Sequence, residues 1–229
     1  MSPSPDAWVT AWLSPGRYAK YLSAAKGDHD NALRLYQWNA RLSAALLHDL
    51  GHLEVGMRNA YDRALLAHPL VAGDDWIRPQ TAFLLLPEHR RMNADGTTQD
   101  KNATPRNAIR QARKYAKFTE GNGVHRGKVI AELMFGFWSY LTDSLHEKTI
   151  WVPALHKAYE PGADRSKLHT ALDALRDARN RLAHNESIYD RNPENLRRSI
   201  VFVARNLSEP LRQHIVTHST VAAVIDSRS

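Results

Sequence analysis

Between Asn31 and Ala67 the residues Leu42, Leu46, Leu50, Leu53, Met57, Ala60 and Ala64 recur at steps of three and four. That spacing places them on one face of a helix and predicts a single long amphipathic helix. A chain that commits so much of its length to one such element must supply other elements to cover the apolar face. Two further stretches do so. Ile130, Leu133, Met134, Phe137, Leu141 and Leu145 share a face and predict a buried core helix, with Gly136 removing a side chain where a neighbouring helix approaches. From about Ala163 to Asn185, Leu168, Leu172, Leu175 and Leu182 form a third stripe, and a last helix is expected from Pro193 to His214.

Alternating strand patterns bounded by turn residues are hard to find, and pairs such as Val201 and Val203 sit inside helical periodicities. The expected fold class is all-α: a helical bundle with one long polar loop. That loop falls between Pro87 and Pro105, where a polar, turn-rich run predicts an exposed or mobile insertion. Absence of a repeat, a low-complexity tract or a Pro, Gly or Ser-rich linker argues for one domain over residues 1–229.

The 229 residues are 43% hydrophobic and 24% charged, which suits a compact globular chain and excludes disordered and fibrous classes. No apolar run approaches the roughly 20 residues of a membrane span, and the opening residues 1–6 lack the basic and apolar regions of a signal peptide. A cytoplasmic protein with no membrane contact is expected. With no cysteine there is no disulfide, thiolate nucleophile or cysteine-held metal, so any catalysis must use oxygen or imidazole chemistry.

The net charge of +7 favours anionic partners, and its distribution matters more than its size. From Lys101 to Lys128 there are eight Lys or Arg against one acid, Glu120. Arg106, Arg110, Arg113 and Lys117 follow steps of four, three and four, so on a helix they line one face. Like charges so placed repel unless an anion lies across them, which makes this face the candidate nucleic-acid-binding surface, with Tyr115 and Phe118 near enough to stack on unpaired bases. The alternative is a solvated helix face.

Other signals carry less. His48 and His52 have the i, i+4 spacing of zinc hydrolases, but Asp49 stands in place of the catalytic Glu and no third ligand is evident. Their face lies opposite the apolar stripe, so no metal site and no cofactor are expected. Trp12, Trp38, Trp76, Trp138 and Trp151 are expected to anchor the core.

One residue breaks the third stripe. At Arg179 a guanidinium takes a position where the pattern calls for an apolar side chain. A buried unpaired charge is costly, so Arg179 must snorkel, meet an acid, or line a polar cavity kept for an anion. Around it, Arg179-Asn180-Arg181-Leu182-Ala183-His184 resembles the HEPN signature of Arg, a polar residue, variable positions and His. The surrounding LRDARNRLAHNES resembles Abi-like proteins of bacterial abortive infection. Leu53 to Asn59, AELMFGFWSYL from Ala131 and WVPALHKAY from Trp151 extend the resemblance in order over most of the chain. Many relatives carry a second His after the motif His, where this sequence has Asn185.

The resemblance implies a metal-independent endoribonuclease, in which the substrate's 2′-hydroxyl attacks the adjacent phosphorus. It implies a toxin or antiphage effector, with RNA as substrate and an antitoxin or regulatory protein as a further partner. The residue types suit that chemistry. His184 can move a proton near neutral pH, and Arg179 is permanently charged and forked to hold a phosphate. Asn180 would orient the phosphate or His184, Glu54 and Arg58 would support the motif from the long helix, and Arg181 and Glu186 flank it. For Glu54 and Arg58 an ordinary intrahelical ion pair is the alternative, and for His184 a helix-end histidine.

Five residues of ideal helix turn through about 500°, leaving Arg179 and His184 roughly 140° apart. Either the helix frays near Ala183 or two motifs meet across a symmetric interface, so a homodimer with a composite active site is expected. The competing expectation is a non-catalytic HEPN module that binds RNA, nucleotide or a partner protein.

Overall fold

A computed structural model describes residues 7–71, 73–119 and 125–228. The opening residues 1–6 and Glu120 lie outside the described residues. Two short helices, α1 (Ala7–Leu13) and α2 (Pro15–Ala24), lead into α3 (His29–Leu66), the 38-residue helix that the periodicity announces. Asp28 caps it by accepting the Asn31 amide at 2.9 Å, and Asp30 in the first turn suits the positive end of the helix dipole. At 1.5 Å per residue α3 is about 57 Å long, and Leu42, Leu46, Leu50, Leu53, Met57 and Tyr61 along it are buried.

The elements packed on α3 are α2, α7 (Phe135–Tyr140), α8 (Arg165–Ala183), α9 (Pro193–Leu207), α10 (Glu209–His218), α11 (Val221–Asp226) and a short turn at Leu155–Ala158. One continuous apolar core results, with a small satellite of Val9, Leu13, Tyr18, Tyr21 and Ala32 beneath α1 and α2. The remaining helices are α4 (Pro79–Leu85), α5 (Ala103–Tyr115) and α6 (Arg126–Glu132). The fold is all-α apart from one two-stranded ribbon. Among the described residues no helix is long and apolar enough to cross a membrane.

Five expectations about the fold are corrected. The polar run at 87–105 is not structureless: β1 (Arg90–Met92) pairs antiparallel with β2 (Thr98–Asp100), joined through Asn93 to Thr97 with Gly96 at φ 78°. Both strands are exposed, so no apolar alternation betrays them. The Asp95-Gly96 pair is the local hairpin signal.

The predicted core helix from Ile130 to Leu145 is broken at Leu133 and Met134, whose ψ angles are 121° and 159°. Trp138 Nε1 donates to the freed Leu133 carbonyl at 3.2 Å, and the corner buries Leu133 and Phe135 while leaving Met134 exposed. Gly136 faces Arg176 on α8 at ordinary contact distance, with no tight approach there.

The expected last helix is likewise two. Ser208 is extended, and Pro210 lacks the amide needed to bond back into α9. The Asn206 carbonyl instead accepts from the Glu160 amide at 2.7 Å. Trp38, Trp76, Trp138 and Trp151 are core residues as expected, but Trp12 is 57% exposed and stacks on Trp8 at 5.7 Å.

A buried histidine makes the fold acid-sensitive. His146, in the 3₁₀ turn Ser144–His146, lies edge-on to Tyr140 at 4.9 Å, and its Nε2 has no hydrogen-bond partner among the described residues. Burial pushes its pKa down to about 4; Asp143 opposes the shift and His89 adds to it. Above pH ~6.5 the ring is neutral folded or unfolded. Below it the unfolded chain takes the proton first, so stability falls as pH drops from 6.5 towards 4, by about 3 kcal/mol in full. Denaturant unfolding of His146→Phe and the parent at pH 7.5 and 4.5 should show a smaller acid loss in the variant; equal losses would remove His146 from the acid response.

Candidate functional site

α5 and the α6–α7 corner enclose, with α8 and the end of β2, a cleft of about 610 Å³. Its floor is apolar, from Ala108, Leu133, Phe135 and Phe137, and Lys101, Arg176, Arg179 and Asn180 stand on its polar side. Tyr115, 68% exposed, and Met134, 60% exposed, flank the mouth. This is the size and mixture of surfaces expected of a ligand site.

α8 is set by its own sequence. Asp164 caps it by accepting the Ser166 and Lys167 amides, and Leu168, Leu172, Leu175 and Leu182 are buried against α3 and α9. Arg179 sits half-buried among them and turns into the cleft. Arg176, one turn earlier, is held at 2.5 Å by Asp173 and 3.0 Å by Asp177. Arg179 makes no hydrogen bond or ion pair with the described residues, so its donors are available to a ligand.

Behind it lies Glu54 on α3, half-buried. Burial pushes its carboxyl above the usual carboxylate range, against the opposing pull first of Arg179 and then of Arg58. Arg179 therefore acts on Glu54 more strongly than the i+4 neighbour Arg58 does, and the two helices share one electrostatic site.

His184 is the exposed C-cap of α8, its amide bonded to the Asn180 and Arg181 carbonyls at 3.2 Å and its carbonyl approached by the Arg17 guanidinium at 3.5 Å. Asn185 follows at φ 51° and donates to Leu182, while Glu186 donates to Arg181 at 2.9 Å. This is a left-handed helix terminator, a conformation that Asn tolerates better than a bulky residue and that gives Asn185 a structural reason to stand there. The Arg181–Glu186 ion pair at 3.2 Å closes the same turn, and the Ile188 amide donates to buried Asn39 on α3.

The structure thus brings Arg179 and Asn180 together in the cleft, with Glu54 and Arg58 behind and Arg181 paired to Glu186. It does not bring His184 into the cleft within one chain; the ring stands outside, at the end of α8.

The basic helix differs from its expected form as a free stripe. Arg106 donates to the Leu86 carbonyl at 2.7 Å, pairs with Asp100 and lies over Phe83; Arg113 donates to the Ile77 carbonyl at 3.0 Å and lies over Phe118. Both tie α5 to the chain around α4. Arg110 is exposed on α5, and Lys117 falls beyond the helix end at φ 51°. The face α5 turns to the cleft is Pro105, Ala108, Ala112 and Tyr115. Sequence reasoning missed Met134, Phe135 and Arg176 as site residues. Arg176, three residues before Arg179 on the same helix, carried a signal; Met134 and Phe135 did not, because the helix break that presents them is not visible in the periodicity.

The family described as Abi-like protein matches residues 15–190, from the first residue of α2 to the segment after α8, and so takes in every residue of the α8 motif. No curated protein and no solved structure matches. Covering well over half of the 229 residues, the match establishes that the chain belongs to the Abi-like family.

Proposed function

We propose that this Abi-like chain is a metal-independent endoribonuclease of the HEPN type, acting in abortive infection as a toxin or antiphage effector. The observation that carries the reading is Arg179, a guanidinium at an apolar position of α8 that makes no hydrogen bond or ion pair with the described residues and faces a cleft beside Asn180. A half-buried guanidinium that makes no direct hydrogen bond or ion pair among the described residues, with only Glu54 behind it, keeps its donors for an anion, and a phosphodiester fits its fork.

In this reading Arg179 and Asn180 hold the scissile phosphate. His184 takes the proton from the 2′-hydroxyl, the 2′-oxygen bonds to phosphorus, and the bond to the 5′-oxygen breaks. A proton returns to that oxygen, leaving a 2′,3′-cyclic phosphate and a free 5′-hydroxyl. Because His184 lies outside its own cleft, the imidazole that serves each cleft comes from a second copy, whose α8 end meets the first across a twofold axis. Tyr115 offers a face on which an unpaired base stacks, and Arg110 a backbone contact.

The position of His184 also favours a second reading, a non-catalytic module that binds RNA or a partner protein. One experiment separates them. Purified protein incubated with total RNA in EDTA should produce cyclic-phosphate ends, and His184→Ala should be about 10²–10⁴-fold slower. Mixing His184→Ala with Arg179→Ala subunits should restore part of the activity if the site is shared. RNA binding without decay supports the module, and equal decay by His184→Ala rejects the assigned base.

A further inference from the structure

Four of the twelve histidines stand in a row where α10 crosses α3. The ring centroids are 4.7 Å apart for His48 and His52, 4.9 Å for His52 and His214, and 4.4 Å for His214 and His218. The crossing is close because Gly56 has no side chain: a Cβ there would lie 2.5 Å from Leu211 Cδ2. Each helix supplies an i, i+4 pair, so four imidazoles from two helices meet on one partly exposed surface.

The protons on two of these rings are placed by their neighbours. His48 Nδ1 is 3.0 Å from Asp49 Oδ1, and the buried Asp49 also accepts from Ser219 at 2.6 Å. His218 Nδ1 is 2.8 Å from the His214 carbonyl oxygen, which can only accept. In the neutral form of both rings the proton therefore sits on Nδ1, which leaves the lone pair on Nε2. A carboxylate holding the far nitrogen is also how metal-bound histidines are oriented. His52 Nε2 lies 3.4 Å from His48 Nε2, and two nitrogens each about 2.05 Å from a tetrahedral ion would be about 3.3 Å apart.

We propose that His48, His52 and His214 bind one divalent transition-metal ion of the zinc class, which fastens α10 to α3, with water in the fourth position. As they stand, no three such groups among the described residues surround a single point closely enough to hold an ion. His48 and His52 already have the spacing of a chelate. Binding therefore requires the exposed His214 ring, 4.9 Å from His52, to turn about its two side-chain bonds towards that pair. The site is separate from the cleft and from the RNA chemistry, so its test does not depend on either.

Tag-free protein is titrated with ZnCl₂ at pH 7.5 by calorimetry, and its thermal unfolding is followed with and without the metal. One ion per chain and a rise in Tm are expected, because an ion bound only to the folded chain stabilises it. His52→Ala and His214→Ala should each weaken binding by more than about tenfold and remove the Tm rise, and binding should weaken at pH 5.5 as the rings take up protons. These side chains are at the surface, so the variants should unfold near the parent's metal-free Tm. No zinc binding, or His214→Ala binding within about twofold of the parent, overturns the proposal; the latter leaves only a two-histidine surface chelate on α3.

Discussion

Under the ribonuclease reading, Arg179→Leu is expected to cleave RNA about 10²–10³-fold more slowly than the parent while unfolding at the same or a higher denaturant concentration. The two halves of this result come from one position. Leucine extends the buried Leu168, Leu172, Leu175 and Leu182 stripe, and the arginine it replaces has no hydrogen bond or ion pair with the described residues to lose. Removing a half-buried charge there should be neutral or stabilising by about 1 kcal/mol. Losing a donor aimed at transition-state charge costs about 3–4 kcal/mol in the barrier. The Glu54 carboxyl, no longer pulled down by Arg179, should titrate still higher than it does in the parent. Full activity in Arg179→Leu would show that the phosphate is held elsewhere. A clear loss of stability would show that the guanidinium serves the fold.

Asp62→Ala is expected to destabilise the chain by about 3 kcal/mol, measured by denaturant unfolding. The buried Asp62 carboxylate accepts from Trp76 Nε1 at 2.8 Å through one oxygen and pairs with Arg126 at 3.1 Å through the other. Removing it strands an indole N–H in the core and leaves Arg126, among the described residues, with Asp75 at 3.6 Å as its remaining acid. Arg126 is the first residue of α6, so the wall of the cleft should loosen too. The exposed Glu209–Arg212 pair makes the control: Glu209→Ala should leave stability almost unchanged. Equal effects at the two sites would mean that the Asp62 network contributes nothing beyond an ordinary surface pair.

The parts legible in the sequence are those whose signal is local and repeated. α3 and α8 lie within two residues of their expected bounds because their apolar stripes run for several turns and end at good caps, Asp28, Asp164 and Asn185. The break at Leu133 and the break at Ser208 are each completed by a group outside the interrupted turn, the Trp138 indole and the Glu160 amide, and periodicity carries no trace of either. In the cleft, Arg179 was legible because it violates its own pattern. The basic residues of α5 were visible as charge, but not the Leu86 and Ile77 carbonyls that occupy two of them. His214 and His218 gained meaning only when α10 was laid against His48 and His52, 162 or more residues earlier in the chain.

The turn after α8 constrains how such a protein can be controlled. Four backbone hydrogen bonds at the helix end and the Arg181–Glu186 pair fix the pivot of His184, so the ring explores little beyond its own two torsions. A switch that melted this corner would also have to free Ile188 from Asn39 and disturb the core. Under the shared-site reading, the inexpensive way to silence the enzyme is to keep two α8 ends apart, so an inhibitor could act as a wedge between protomers without touching the pocket.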